Sequence, residues 1–164
     1  MPITKIAFYP CSNNDLLRPL ELLNNYVNEV IFCDPSPRLK TEFTSLMSQR
    51  SKQLPNARLI SDDARRGVKA LERIDVLFYR RDSMGEGGSG VLVLAKPFLL
   101  TVLERMPSES GLIITDGSNH GNHYYQKAFR PQGVNKFGYH ICALPESEQP
   151  FKEENLHVIK VKRL

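Results

Sequence analysis

The stretch Val30-Ile-Phe-Cys-Asp-Pro-Ser-Pro37 decides how the rest of the chain reads. Four apolar residues in a row, closed by Asp34, have the continuity of a strand buried on both faces. Ser36 then stands where a helix N-cap belongs. Pro37 falls at the first helical position, where its missing N–H removes no hydrogen bond. Leu39, Phe43, Leu46 and Met47 follow as one helical stripe. A buried strand running into an amphipathic helix is a βα unit.

The same unit recurs on both sides. Upstream, Lys5-Ile-Ala-Phe-Tyr9 is a short apolar run. Asn14 or Asp15 is placed to cap a helix carrying Leu16, Leu17, Leu20, Leu22 and Leu23, with Pro19 tolerable in its first turn. Downstream, Ala57-Arg-Leu-Ile60 reads as a third strand, and Asp62 or Asp63 caps a helix with Ala64, Val68 and Leu71. Ile74 to Tyr79 is a fourth strand, followed by a glycine-rich loop from Arg80 to Gly90. The next helix opens its regular part at Pro97 and runs to about Met106. Gly111 to Thr115 is a fifth strand, ending at Asp116. Residues 117–136 are polar and aromatic without a helical period. Phe137 to Leu144 and Leu156 to Val161 read as sixth and seventh strands. The segment between them is too short for a crossover helix, so they pair antiparallel. The expected architecture is a three-layer α/β sandwich, with a mostly parallel seven-stranded sheet and an antiparallel last strand, in one domain over residues 1–164.

Composition narrows the function classes. The chain has 164 residues, 41% hydrophobic and 24% charged, which is globular rather than disordered. No apolar run approaches the roughly 20 residues that span a bilayer, and the N-terminus lacks a signal peptide's apolar core, so no membrane association and a cytoplasmic location are expected. The net charge of +4 is scattered, with its tightest groups at Arg65-Arg66, Arg80-Arg81 and the tail Lys160, Lys162, Arg163. This is the pattern of a solvated surface, and it disfavours nucleic acid as the partner without excluding it. Three cysteines, Cys11, Cys33 and Cys142, form no Cys-x-x-Cys unit and fit a reducing compartment.

In open parallel sheets ligands bind beyond the carboxyl ends of the strands. Those ends carry Pro10-Cys-Ser-Asn-Asn-Asp15, then Asp34, then Asp62-Asp63, then Arg80-Arg-Asp82-Ser83 with Gly85, Glu86, Gly87 and Gly88, then Asp116-Gly-Ser118-Asn119-His120. Asp34 has two readings: an acceptor for the ribose hydroxyls of a nucleoside, about 20 residues beyond the first turn, or a cap for the next helix or its turn. One of Asp62 and Asp63 is a helix cap, which leaves the other for an adenine amino group. The Gly85–Gly90 loop is either a flexible connection or a cover for substrate, and its amides suit a phosphate or carboxylate. It is not a Walker loop. Cys11 is not a phosphatase nucleophile, because Arg18 falls one position too far on. His120 and His123 are open to a proton-transfer role, to metal binding or to plain loop polarity, and no metal site is assigned.

On these residues the chain resembles the class I S-adenosylmethionine-dependent methyltransferases, a Rossmann-like superfamily. The resemblance lies in order and position over nearly the whole chain. It implies a cofactor loop at Pro10, Cys11, Ser12, Asn13 and Asp15, a ribose acid at Asp34, an adenine-contacting acid at Asp62 or Asp63, and a catalytic loop from Arg80 to Ser83. It implies S-adenosylmethionine as cofactor, with Asp82 and His120 as candidate bases, and Ser83, Gly85, Glu86, Gly87, Gly88, Asp116, Ser118 and Asn119 around the substrate. The chain also resembles a loose group of short bacterial and phage-associated proteins with segments like Pro10-Cys-Ser12, Phe32-Cys-Asp34, Gly85-Glu-Gly-Gly-Ser-Gly90 and Thr115-Asp-Gly-Ser-Asn119, a resemblance that implies no activity. The first loop departs from the methyltransferase pattern in having no glycine. Two functions therefore stand side by side: a methyltransferase-like protein with a small-molecule or nucleoside ligand, and a non-catalytic module of the same architecture that binds a protein partner or a second copy.

Overall fold

The computed structural model describes residues 3–82, 93–118, 125–149 and 154–164. Its strands are β1 (Ile6–Pro10), β2 (Glu29–Cys33), β3 (Asn56–Ile60), β4 (Val76–Tyr79), β5 (Gly111–Thr115), β6 (Val134–Lys136), β7 (Tyr139–Ala143) and β8 (His157–Arg163). Its helices are α1 (Leu17–Leu22), α2 (Pro37–Gln49), α3 (Ala64–Gly67), α4 (Phe98–Leu103) and α5 (Tyr125–Ala128). All eight strands form one sheet in the order β3-β2-β1-β4-β5-β8-β7-β6.

Strands β1 to β5 are mutually parallel, as their βα alternation requires. β8 enters antiparallel between β5 and β7. β4 is buried at every position, with Leu77 and Phe78 wholly inaccessible. Such a strand has no polar face because helices cover both sides of a parallel sheet. The order reverses between β1 and β4. Right-handed crossovers then place the helices of the two halves on opposite faces, which is the Rossmann-like arrangement.

The sheet has eight strands where seven are expected from the sequence. The additional strand, β6, is Val134-Asn-Lys136, too short and too polar to show a period of two. It exists because Phe137 and Gly138 both take positive φ, 54° and 82°, the turn geometry that suits the twist of a two-residue hairpin. The sixth strand of the sequence reading therefore begins at Tyr139, after that turn. Gly133 is fixed there by space as well as by its φ of +64°. A Cβ would meet the carbonyl oxygen of Ile141 and the Cβ of Cys142.

Helix starts fall near the expected residues, but Ser36 makes no side-chain cap hydrogen bond and α4 runs from Phe98 to Leu103, short of Met106. Ser36 is the N-cap of α2 with Pro37 next, and Asp63 caps α3 by accepting from the Arg65 amide. The N-cap of α1 is Leu16, with no side-chain hydrogen bond. Asp15 does not cap it, because that carboxylate has a stronger partner elsewhere. No described helix is long and apolar enough to cross a membrane.

Candidate functional site

The reversal of strand order puts the loops after β1 and β4 on either side of one crevice. A cavity of about 190 Å³ lies there, lined by Tyr9, Cys11, Ser12, Asn13, Asn14, Asp15, Arg80 and Arg81. Its upper wall is the first loop. Cys11 and Asn13 have φ of 56° and 48°, so the glycine-free loop does reach left-handed conformations. For a residue with a Cβ this costs roughly 1–2 kcal/mol, and Asn tolerates it best. The loop is held by Ser12 N–H donating to the Cys33 carbonyl at 3.3 Å and by Asp15 N–H donating to the Ser12 carbonyl at 3.2 Å.

Asp34 stands at the carboxyl end of β2, half-buried. Its Oδ2 accepts from the Asn13 amide at 2.9 Å and its Oδ1 from the Ser36 amide at 2.9 Å. It therefore performs the turn role that the sequence allows and also faces the first loop. A carboxylate has about four lone-pair directions, so two remain for a ligand.

Beneath the loop lies a buried polar cluster. Arg80, 3% exposed, forks onto Asp15, with Nε to Oδ2 at 2.7 Å and Nη2 to Oδ1 at 2.8 Å. Its Nη1 donates to Glu154 at 3.2 Å, and its guanidinium lies 5.9 Å over the Phe78 ring. The Tyr9 hydroxyl donates to Asp15 at 2.7 Å. Glu154 continues outward to Arg18 at 2.6 Å. Burial pushes the Asp15 carboxyl up, but hydrogen bonds from Arg80 and Tyr9 outweigh it and hold the group below its ordinary range. Burial, and then the Asp15 charge, raise the Tyr9 phenol far above its usual value. The hydrogen bond to Asp15 raises Arg80 further, so the pair stays ionised.

The loops after β4 and β5 are stitched together. Arg81 N–H donates to Asp116 Oδ2 at 2.9 Å, and Asp82 N–H donates to Ser118 Oγ at 3.1 Å. Asp116 Oδ1 accepts from the Ser118 amide at 2.9 Å. Asp82 is 7% exposed. Thus Pro10 to Asp15, Asp34, Arg80, Asp82, Asp116 and Ser118 share one rim. Asp62 and Asp63 are at the next strand end, paired with Arg66 and Arg65 respectively. Ser83, Gly85, Glu86, Gly87, Gly88, Asn119, His120 and His123 lie outside the described residues. Burial, and then the neighbouring Cys11, push the Cys33 thiol up to about 12, which leaves it inert at neutral pH.

The hydrogen bond from Arg65 holds the Asp63 carboxyl down at about 2. A carboxyl depressed in the folded state stabilises above its unfolded value of 3.8, and that stabilisation is lost as pH falls through about 2. Asp63→Ala is expected to cost about 1 kcal/mol at neutral pH, the usual cost of losing an N-cap. Urea unfolding should show the cost constant above about pH 4 and shrinking toward about pH 2. A cost that persists unchanged at the acid end would contradict the assignment.

Two members of the site carry no sequence signal. Tyr9 sits inside an apolar run, and Glu154 in a polar segment with no periodicity. Both are tied in by contacts across the fold, Glu154 to Arg80 over a separation of 74 residues.

No protein-family model matches the chain, and no curated protein matches it. Solved structures do. An rRNA methylase from Streptococcus thermophilus is similar with a TM-score of 0.55 at 13% identity, over 98% of this chain and 87% of that one. A Streptococcus mutans protein described as a candidate methyltransferase, solved in complex with SAH, gives 0.54 at 15%, over 98% and 89%. A methyltransferase from Geobacter sulfurreducens gives 0.59 at 11%, over 98% and 72%. The chain shares the Rossmann-like fold of these methyltransferase structures. The antiparallel last strand expected from the sequence is β8.

Proposed function

We propose that the chain is a methyltransferase-like protein that binds S-adenosylmethionine at the β1–β2–β4 strand ends. The observation that carries the reading is Asp34: a carboxylate at the end of β2, held 2.9 Å from the amide of the first loop, with acceptor capacity left over. Its oxygens suit the two ribose hydroxyls of an adenosine. Arg81, exposed at the cavity wall, suits the carboxylate of the ligand's amino-acid part. The cofactor, when bound, supplies an electrophilic methyl group. Asp82 beside Ser118 is the group of this rim suited to accept a proton from a methyl acceptor.

One observation favours the second reading, a non-catalytic module. The Arg80–Asp15 pair forms the floor of the first cavity. At about 190 Å³ that cavity is smaller than the roughly 300–1,000 Å³ usual for a ligand site. It takes part of a cofactor rather than the whole.

Titration with S-adenosylmethionine and SAH, by calorimetry and thermal shift, tests the reading. Ligand at 100 times its Kd stabilises the folded chain by about 2.7 kcal/mol. Asp34→Asn keeps an oxygen for the Ser36 amide and loses the charge. Its expected effect is the loss of about 1.5–3 kcal/mol, or roughly 10–150-fold in Kd. Absence of stabilisation by either ligand in the wild-type chain would overturn the proposal and leave the module.

A further inference from the structure

A second, larger cavity opens at the same rim. It measures about 530 Å³ and lies between the carboxyl end of β7 and the start of β8. We propose that it binds a neutral, planar heteroaromatic ring, and that this ring is the methyl acceptor; the acceptor role rests on the cofactor reading above.

Four observations carry the inference. First, its size falls within the range of small-molecule sites, roughly 300–1,000 Å³. Second, one wall is aromatic: the Phe129 and His157 rings lie 4.7 Å apart between centroids and 34° from parallel. Apolar Leu144 and Leu156 also line the cavity. A flat π-system gains most from such a surface. Third, the polar side chains among its described lining residues carry no fixed charge: the amides of Gln149 and Asn155, and the His157 imidazole. No carboxylate, ammonium or guanidinium occurs among those described residues, which favours a ligand without a fixed charge. The Gln149 amide is held in place by donating from Nε2 to the Leu144 carbonyl at 2.6 Å. A side-chain amide offers both donors and acceptors, the combination that reads the edge of a heterocycle.

Fourth, the cavity is a neighbour of the first one along the rim. Thr115 pairs with Tyr79 on one side and His157 on the other. β4 and β8 are thus two strand spacings apart, about 10 Å. Arg80 lines the first cavity and bonds to Glu154 at 3.2 Å, and the next residue, Asn155, lines the second. A cofactor at the first and an acceptor at the second would lie side by side along one rim.

The test uses the full chain with adenine and nicotinamide as neutral planar probes, benzoate as a planar anion and cyclohexanecarboxamide as a neutral non-planar amide. Calorimetry and the NMR signals of the His157 imidazole are read with and without SAH. Adenine or nicotinamide should shift the His157 signals and bind more tightly than either control. Phe129→Leu and His157→Leu should each weaken the planar probes by about 2–12-fold, the worth of one aromatic contact. The proposal is overturned if neither planar probe moves His157, if the non-planar amide binds equally well, or if neither variant changes affinity. The wild-type probe series decides the matter even where a variant fails to fold. If the rings bind and SAH does not, the cavity is a ring site and the acceptor role falls with the cofactor reading. If SAH binds and no ring does, the cofactor reading stands and this proposal fails.

Discussion

Replacing Arg80 by alanine should lower the thermal midpoint by about 6–20 °C. The figure follows from a cost of about 3–5 kcal/mol for removing one partner of a buried ion pair, in a chain of this size. Arg80 is 3% exposed and Asp15, on the side chain, 14%. Without the guanidinium, Asp15 keeps only the Tyr9 hydroxyl among its described side-chain partners, and Glu154 loses its inward contact. The uncompensated carboxylate dominates the loss, not the missing contact itself. Arg80→Lys restores a charge but not the fork onto two carboxylate oxygens, so it should recover only part of the deficit.

The pH dependence gives the sign. In the wild type Asp15 is depressed, so its contribution is present above the ordinary carboxylate range and fades as pH falls below it. In Arg80→Ala the carboxyl rises from its depressed value, so acidification no longer removes an Asp15 contribution and the stability gap to wild type narrows as pH falls. Thermal melts across the acid range measure both effects. A midpoint within 2 °C of wild type at neutral pH, or a gap that stays constant through the acid range, would show that the pair is not what holds the floor of the crevice.

What the sequence made legible was everything that rests on local pattern. Apolar runs that end in an acid and pass into a helical stripe, as at Val30 to Met47, fix a strand, its direction and a crossover within one unit. Four apolar runs each followed by a helical stripe, and a fifth run after them, leave little freedom in the sheet. The position of Asp34 at a strand end follows from the same pattern, and so does the Asp63 cap. The missed parts are set by contacts distant in sequence. Asp15 has the look of a helix cap, four residues before a proline in a leucine-rich helix. Its partner is 65 residues away, and no local spacing announces it. β6 is three residues long and is created by its turn and its neighbour rather than by its own composition. The glycine-free first loop shows the converse. Composition argues against left-handed geometry there, yet Cys11 and Asn13 adopt it because the Cys33 carbonyl and the Asp34 carboxylate fix the amides of Ser12 and Asn13.

Phe78 joins the core to the floor of the crevice, and truncating it should be the other large effect. Phe78→Ala is expected to cost about 3–5 kcal/mol for the lost ring and the space it leaves, again roughly 6–20 °C in the thermal midpoint. Phe78 is wholly inaccessible in β4, the strand between β1 and β5. Its ring meets Tyr9 edge-on at 4.9 Å and lies under the Arg80 guanidinium. Leucine at this position retains most of the apolar volume. Phe78→Leu should therefore lose mainly the two aromatic contributions, about 1–3 kcal/mol together.

The two variants differ in what happens above the ring. Alanine opens a gap beside the Tyr9 ring, and water entering it would relieve the burial that raises the phenol. Spectrophotometric alkaline titration should then show one more tyrosine ionising before unfolding in Phe78→Ala than in wild type or Phe78→Leu. Urea denaturation measures the stability change in parallel. If Phe78→Ala loses stability while the tyrosine titration stays unchanged, the ring fills the core without shielding the polar cluster. If it loses under 1 kcal/mol, the packing of β4 against the crevice is not as drawn here.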